Sequence, residues 1–169
     1  FYIVWPVLLG LAWRFGGGKG RSMLAWMWAV TLLSFLINVL GVHRHATATF
    51  YSPLPRMWEL AAGALLAWDA LRREPHRNVF RRELRSVSGL VLIGLGLVLI
   101  SKGKAFPGFW GLLPVLGACL CISAGPGAWL NRHLLGSRPM VWVGLISYPL
   151  YLWHWPVLAF ARILEGGEA

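Results

Sequence analysis

The sequence predicts an all-α membrane protein, a polytopic bundle of about six transmembrane helices, and three observations carry this prediction. Of the 169 residues, 57% are hydrophobic and only 13% are charged, which is roughly half the charged share of a soluble domain. The hydrophobic residues form long blocks without the alternation of a membrane β-strand. Lys and Arg outnumber Asp and Glu by 16 to 6 and lie between the blocks, which is typical of cationic loops and not of a nucleic-acid-binding surface.

Each hydrophobic block is predicted to be one helix. The first block, 1–15, is short, and we expect it to be the end of a helix that starts in a longer parent chain. The remaining blocks are 23–42, 54–71, 87–100, 106–124 and 141–164. Helices of roughly 17–25 residues cross a bilayer, so the block at 87–100 spans only if its ends extend. Gly89, Gly94 and Gly96 predict close contact between this helix and a neighbour.

The distribution of cations predicts the orientation of the bundle. Most of the 16 Lys and Arg residues lie in the first, third and fifth loops, and the largest cluster lies in the third loop, at 72–85. The positive-inside rule therefore places these loops in the cytoplasm and both ends of the chain outside. We interpret the cluster at 72–85 as a topology anchor that contacts lipid.

One carboxylate lies where a charge is costly. Glu59 is near the start of the third block, and an ionisable side chain at membrane depth costs roughly 2.5–3.5 kcal/mol. Arg56 precedes it by three residues, so the two side chains share a helix face and can pair. Two interpretations remain open: an ion pair that fixes the start of the helix at the interface, and a charged pair that lines a substrate cavity.

The last block carries a polar stripe. Ser147, Tyr151 and His154 follow the i, i+4, i+7 spacing of one helix face. His154 is a candidate acid or base because imidazole titrates near neutral pH. The alternative is a buried neutral histidine that bonds to a neighbouring helix. Pro156 removes a backbone hydrogen bond, which predicts a kink at that point.

No metal site is predicted. His43 and His45 have metal-ligand spacing, but the sequence shows no further ligands for them. Cys119 and Cys121 lie in one hydrophobic block, where a helix turns them to opposite sides. A disulfide between them is sterically poor, so we expect two unpaired thiols.

Four stretches of the chain match, in order, the motifs of one protein family. The stretch 1–6 is similar to the end of a Glu-Gln-Phe-Tyr-x-x-Trp-Pro motif, and 52–60 is similar to Ser-Pro-x-x-Arg-x-Trp-Glu-Leu. The stretch 106–108 is similar to a Phe-Pro-Gly turn, and 147–156 is similar to Ser-Tyr-x-Leu-Tyr-Leu-Trp-His-Trp-Pro. Together these stretches resemble the acyltransferase 3 family of bacterial membrane O-acyltransferases.

The resemblance implies the chemistry and the location of the protein. An acyl group, commonly acetyl from acetyl-CoA, would pass to a hydroxyl of a cell-surface glycan or a lipid-linked sugar. The protein would be a multi-pass protein of the bacterial inner membrane, surrounded by lipid, without a permanently bound cofactor and without a nucleic-acid partner. The residues expected along the substrate path are Arg56, Glu59, Ser147, Tyr148, Tyr151 and His154. The residues expected to maintain the motifs are Tyr2, Trp5, Pro53, Trp58, Trp153, Trp155 and Pro156.

The resemblance also implies that 1–169 is one part of a larger membrane domain. The family's proposed catalytic histidine follows a basic residue in its first membrane helix, which would precede Phe1. The catalytic residue is therefore not assigned within this chain, and we expect the fragment alone to be inactive. The family's last helix would follow the chain, and some members append a periplasmic SGNH-hydrolase-type domain. The alternative hypotheses are a transporter or flippase for a lipid-linked or acyl substrate and a non-catalytic membrane scaffold.

Overall fold

The computed structural model describes residues 10, 14, 20–44, 49, 52–72, 78–100 and 108–164, without the side chain of His43. Every regular element within these ranges is helical, which confirms the all-α prediction. The chain divides into two compact units, with the boundary between Gly125 and Pro126. Most of the predicted helix at 1–15, including the motif residues Tyr2 and Trp5, lies outside the described residues.

The described part of the first unit contains four α-helices. They are α1 (Gly20–Arg44), α2 (Met57–Arg72), α3 (Val79–Leu99) and α4 (Leu112–Ala124). Short 3-10 turns at Leu54–Arg56 and Phe109–Gly111 lead into α2 and α4. The main packing contacts join α1 to α2 and α3 to α4, so the unit is built from two helix pairs. The helices α1, α2 and α4 confirm three of the predicted segments to within a few residues, apart from the 3-10 turns.

The start of α3 corrects the predicted third loop. This helix begins at Val79 and not at 87, because the side-chain oxygen of Asn78 accepts a hydrogen bond from the backbone N–H of Arg81 (3.3 Å) and caps the helix. Arginine is also a good helix former. Arg81, Arg82 and Arg85, which were expected in the loop, therefore lie in the first turns of α3.

The backbones of α3 and α4 lie in close contact at two glycines. A Cβ atom on Gly89 would lie 2.7 Å from the carbonyl oxygen of Gly117 and 2.6 Å from the Sγ of Cys121. A Cβ atom on Gly117 would lie 2.7 Å from the carbonyl oxygen of Gly89. The predicted close contact is thus confirmed at Gly89, and Gly96 packs against Pro114. Gly94 faces open space, which corrects its predicted role.

The second unit is dominated by one long helix. A π-helical turn at Asn131–Leu135 is followed by α5 (Arg138–Leu164), which continues through Pro149 and Pro156. None of the residues of α5 is buried, and its large hydrophobic side chains are exposed along its length. A helix that is hydrophobic on all sides requires a hydrophobic environment, either lipid or other helices.

Of the six predicted membrane spans, the described structure supports one, which lies within α1. Among the described residues, one helix, Arg21–Val42, is long and hydrophobic enough to cross a membrane. The helices α2 and α4 have 16 and 13 residues, which is short for a span. Helix α5 has 27 residues, but its tyrosine, proline and histidine residues lower its hydropathy. The six-helix membrane bundle therefore stays a prediction.

Candidate functional site

The predicted pair of Arg56 and Glu59 forms at the N-terminus of α2. The Nε and Nη2 atoms of Arg56 donate to the two carboxylate oxygens of Glu59, each over 3.2 Å. This two-pronged arrangement fixes the plane of the guanidinium group. The side chains are 40% and 27% exposed, and ion pairs with such exposure contribute at most about 1 kcal/mol to folding. The pair therefore contributes little to folding stability, and its main effect is to fix the orientation of the Arg56 guanidinium and to place two charges at the start of α2.

Polar side chains of α1 hold the turn that presents this pair. The hydroxyl of Ser34 donates to the carbonyl oxygen of Leu54 (2.6 Å) and accepts from the backbone N–H of Trp58 (3.0 Å). The amide nitrogen of Asn38 donates to the carbonyl oxygen of Pro55 (3.0 Å). Ser34 thus satisfies one of the backbone N–H groups that the first turn of a helix leaves unpaired. Ser34 and Asn38 are both buried, so these hydrogen bonds are shielded from water.

Sequence reasoning missed Ser34 and Asn38, although a signal was present. Thr31, Ser34 and Asn38 are spaced i, i+3, i+7 on one face of an otherwise hydrophobic helix. Polar groups with this spacing in a helix long enough to span a membrane predict hydrogen bonds to a neighbouring element. Thr31 donates within its own helix, to the carbonyl oxygen of Met27 (2.7 Å), so only Ser34 and Asn38 reach the turn.

Ser34→Ala is expected to destabilise the first unit by about 1–3 kcal/mol, because it leaves the buried N–H of Trp58 without its acceptor. The measurement is the thermal unfolding midpoint of the detergent-solubilised full-length protein. The matched control is Thr31→Val, which removes a hydroxyl from the same helix face but breaks only a local bond. Equal midpoints for the two variants would contradict the supporting role of Ser34.

The motif tryptophan anchors the start of α2. Trp58 is only 3% exposed and packs edge-to-face against Phe35 of α1, with ring centroids 5.1 Å apart. Phe35 makes a second edge-to-face contact with Phe109, at 5.7 Å. Pro53, also predicted to be structural, precedes the 3-10 turn, and its carbonyl oxygen accepts from the N–H of Arg56 (3.2 Å). These contacts pack the motif stretch at 52–60 against α1, which in turn contacts Phe109, the residue that follows the stretch at 106–108.

The second group of predicted residues lies on α5. Ser147, Tyr151 and His154 belong to one continuous helix, and their i, i+4, i+7 spacing places them on one face of it. All three residues belong to the second unit. The other predicted residues of this helix, Tyr148, Trp153 and Trp155, have exposed side chains. Ser147 donates to the carbonyl oxygen of Gly144 (2.7 Å).

A backbone carbonyl orients the imidazole of His154. Its Nδ1 atom lies 2.6 Å from the carbonyl oxygen of Tyr151, and the two rings are 5.7 Å apart. Because a carbonyl oxygen only accepts hydrogen bonds, Nδ1 must carry the proton in this contact. In the neutral ring with this tautomer, Nε2 then carries the lone pair that accepts a hydrogen bond. The sequence offered no carboxylate to orient this ring, and the backbone performs that role.

In the described part of the chain, no three side chains among His, Cys, Asp and Glu converge as metal ligands. No disulfide joins Cys119 and Cys121, which both lie in the described part of the chain. The side chains of His43 and His45 lie outside the described residues.

An elongated cavity of about 850 Å³ lies between α1, α2 and α4. Its wall follows α2 from Trp58 to Arg72, so the cavity begins beside the turn that carries Arg56 and Glu59. The α1 and α4 walls are mainly hydrophobic and include Phe35.

Comparisons with curated proteins show which enzymes the chain resembles. It is 27% identical over 180 residues to YrhL of Bacillus subtilis, whose provisional name is peptidoglycan O-acetyltransferase. It is 25% identical over 184 residues to the peptidoglycan O-acetyltransferase OatA of Listeria monocytogenes. Both matches cover 98% of this chain. It is also 30% identical over 122 residues, 72% of its length, to BcsY of Komagataeibacter xylinus, provisionally named a membrane-bound transacylase.

These matches cover 27%, 28% and 30% of the three relatives, so the chain spans less than a third of the curated relatives it matches. No family model matches the chain. No solved structure matches it significantly. The names of the relatives confirm the resemblance to the acyltransferase 3 family that the four motif stretches predict.

Proposed function

We propose that this chain, which its motifs and its relatives place with the acyltransferase 3 family, is part of a membrane enzyme that acylates a cell-wall glycan. The acyl group, acetyl in the first instance, comes from acyl-CoA, and the acceptor is a hydroxyl of the glycan or of its lipid-linked precursor. The observation that carries the proposal is the turn at 52–60. There, hydrogen bonds from α1 hold the motif turn, and the turn positions the two-pronged pair of Arg56 and Glu59.

The reaction makes demands that these side chains can meet. The acceptor oxygen attacks the carbonyl carbon of the thioester, the C–S bond breaks, and the CoA thiol leaves. Negative charge develops on the acyl oxygen, and a guanidinium held in one orientation by Glu59 can stabilise that charge without reorganising. The hydroxyl proton needs a base, and we assign this role to His154, whose Nε2 would accept the proton while Nδ1 donates to the carbonyl oxygen of Tyr151.

The orientation of the chain favours this role for Arg56. The positive-inside pattern predicts that the end of α2 carrying Arg56 faces the outside and that its Arg72 end faces the cytoplasm. The phosphates of CoA are expected on the cytoplasmic side, so Arg56 suits the acceptor sugar, or the acyl oxygen at the opposite end of CoA, better than it suits a CoA phosphate. The whole protein would be a multi-pass protein of the bacterial inner membrane, and its parent chain is a candidate for an appended SGNH-type domain.

The test is acetyl transfer by the full-length protein in membrane vesicles. Radiolabelled acetyl-CoA is expected to label the cell-wall glycan with a base-labile ester. Movement of a lipid-linked substrate without consumption of acetyl-CoA would favour the transporter hypothesis and overturn the proposal.

His154→Ala is expected to lower the initial rate of acetyl transfer about 100-fold, which is the lower range for loss of a general base. The matched control is His133→Ala. His133 also contacts a carbonyl oxygen of its own helix, that of Trp129 (3.0 Å), but lies outside the motif stretches. Full activity of the His154 variant in protein that inserts normally would remove His154 from the substrate path.

A further inference from the structure

We propose that the cavity between α1, α2 and α4 is a binding site for one anionic phospholipid. The hydrocarbon tail would lie along the cavity, and the phosphate would bind at the Arg72 end. The proposal concerns a site separate from the Arg56–Glu59 pair, and it does not depend on the acyl-transfer reaction.

The body of the cavity suits hydrocarbon. Most of its lining is aliphatic or aromatic, with Leu32 and Phe35 on α1, Ala62 and Leu65 on α2, and Leu112 and Val115 on α4. The hydroxyl of Thr31 also lines it, but this hydroxyl donates to the carbonyl oxygen of Met27 in its own helix. A cavity of about 850 Å³ lies within the usual size range of ligand sites. Its hydrophobic lining provides few hydrogen-bonding groups for a polar ligand.

The length of the cavity also suits a lipid tail. Its wall follows α2 from Trp58 to Arg72, a distance of about 20 Å at the rise of an α-helix. One leaflet of a bilayer has a hydrocarbon depth of about 15 Å, half the thickness of the core. A tail whose headgroup lies beside Arg72 would therefore extend most of the way towards Trp58.

The charged groups that line the cavity, Asp69 and Arg72, lie at one end, although Trp58 at the other end also has a buried indole Nε1 that finds no acceptor in the described structure. The guanidinium of Arg72 lies over the ring of Trp68, 4.4 Å from its centroid, which holds this cation at the mouth of the cavity. The indole Nε1 of Trp68 is buried and finds no acceptor in the described structure. A phosphate oxygen would accept from both groups. Asp69 lines the same end, so the charge of Arg72 alone does not make it strongly cationic.

The N-terminal end of α3, the adjoining helix in the described chain, carries further positive charge. Arg81, Arg82 and Arg85 lie in its first turns together with Glu83, which pairs with Arg82, so three cations outnumber one carboxylate there. The positive-inside pattern predicts that these ends face the cytoplasm, where the leaflet is rich in anionic lipids. Basic pockets between helices on that side are a known form of anionic headgroup site. The charge therefore favours an anionic headgroup over a zwitterionic one.

The test measures lipid retained by the full-length protein. Detergent-purified protein is incubated with phosphatidylglycerol or phosphatidylcholine and examined by native mass spectrometry. The wild-type protein is expected to retain one phosphatidylglycerol and little phosphatidylcholine. Arg72→Gln is expected to weaken phosphatidylglycerol retention about fivefold, the effect of one cation near a lipid phosphate. Ala62→Phe places a ring inside the cavity and is expected to reduce retention to the phosphatidylcholine level.

Two matched controls separate the cavity from the membrane surface. Ala70→Phe adds the same ring to an exposed position of α2 that does not line the cavity, and Arg81→Gln removes a cation of the adjoining helix end. Both variants are expected to retain at least half of the wild-type phosphatidylglycerol. Equal retention of the two lipids, or undiminished retention by Ala62→Phe, would overturn the proposal. So would displacement of bound lipid by acetyl-CoA in the wild-type protein, which would assign the cavity to the acyl donor.

Discussion

Glu59→Gln is expected to reduce acetyl transfer by the full-length protein by about 100-fold or more, a loss typical of removing a charged or hydrogen-bonding group that acts in the transition state. The glutamine amide has nearly the shape of the carboxylate but no charge, and only one of its two terminal atoms accepts a hydrogen bond. Arg56 would lose the two-pronged contact that sets the plane of its guanidinium. The measurement is the initial rate of transfer from radiolabelled acetyl-CoA in membrane vesicles, normalised to inserted protein.

The control for this variant is Glu83→Gln. Glu83 pairs with Arg82 over 3.7 Å, and both side chains are 31% exposed, close to the exposure of Glu59. It lies outside the motif stretches, so its loss is expected to leave the rate within about twofold of the wild type. If both glutamine variants transfer acetyl groups at the wild-type rate, the assignment of Arg56 and Glu59 to the substrate path is wrong. The pair would then serve only to fix the start of α2.

The second large effect is expected at Gly89. Gly89→Ala should destabilise the first unit by about 1–3 kcal/mol, the usual cost of overpacking. The added methyl group would lie 2.7 Å from a backbone oxygen of α4 and 2.6 Å from the Sγ of Cys121, and backbone cannot move aside without separating the helices. The measurement is the thermal unfolding midpoint of the full-length protein in detergent.

The control variant, Gly94→Ala, is expected to change the stability in the opposite direction. No atom lies within 4 Å of a Cβ built on Gly94, which belongs to the same helix. Gly94→Ala should therefore stabilise the protein by roughly 0.5–1 kcal/mol, because alanine loses less conformational freedom in a helix than glycine does. A midpoint that rises in both variants would show that α3 and α4 do not pack as closely as their glycines indicate.

The motif stretches made part of the candidate site predictable. Arg56 and Glu59 stand out because charges are rare in this sequence. Their pairing was predictable because residues three apart lie on the same face of a helix. The stripe of Ser147, Tyr151 and His154 follows from the same repeat. The spacing of Ser34 and Asn38 indicates hydrogen bonds to a neighbouring element, but a polar residue in a hydrophobic helix does not specify which element that is.

Local patterns in the sequence determined the helical class, the approximate helix positions and the residues that pair along one helix. The hydrophobic blocks require helices because only a helix satisfies its own backbone in an apolar environment. The tertiary structure decided the rest. It selected Gly89 over Gly94 as the point of helix contact and joined Ser34 and Asn38 of α1 to the turn at Leu54 and Pro55. The reason is that contacts between helices depend on which faces meet, and periodicity along one helix does not specify the facing partner.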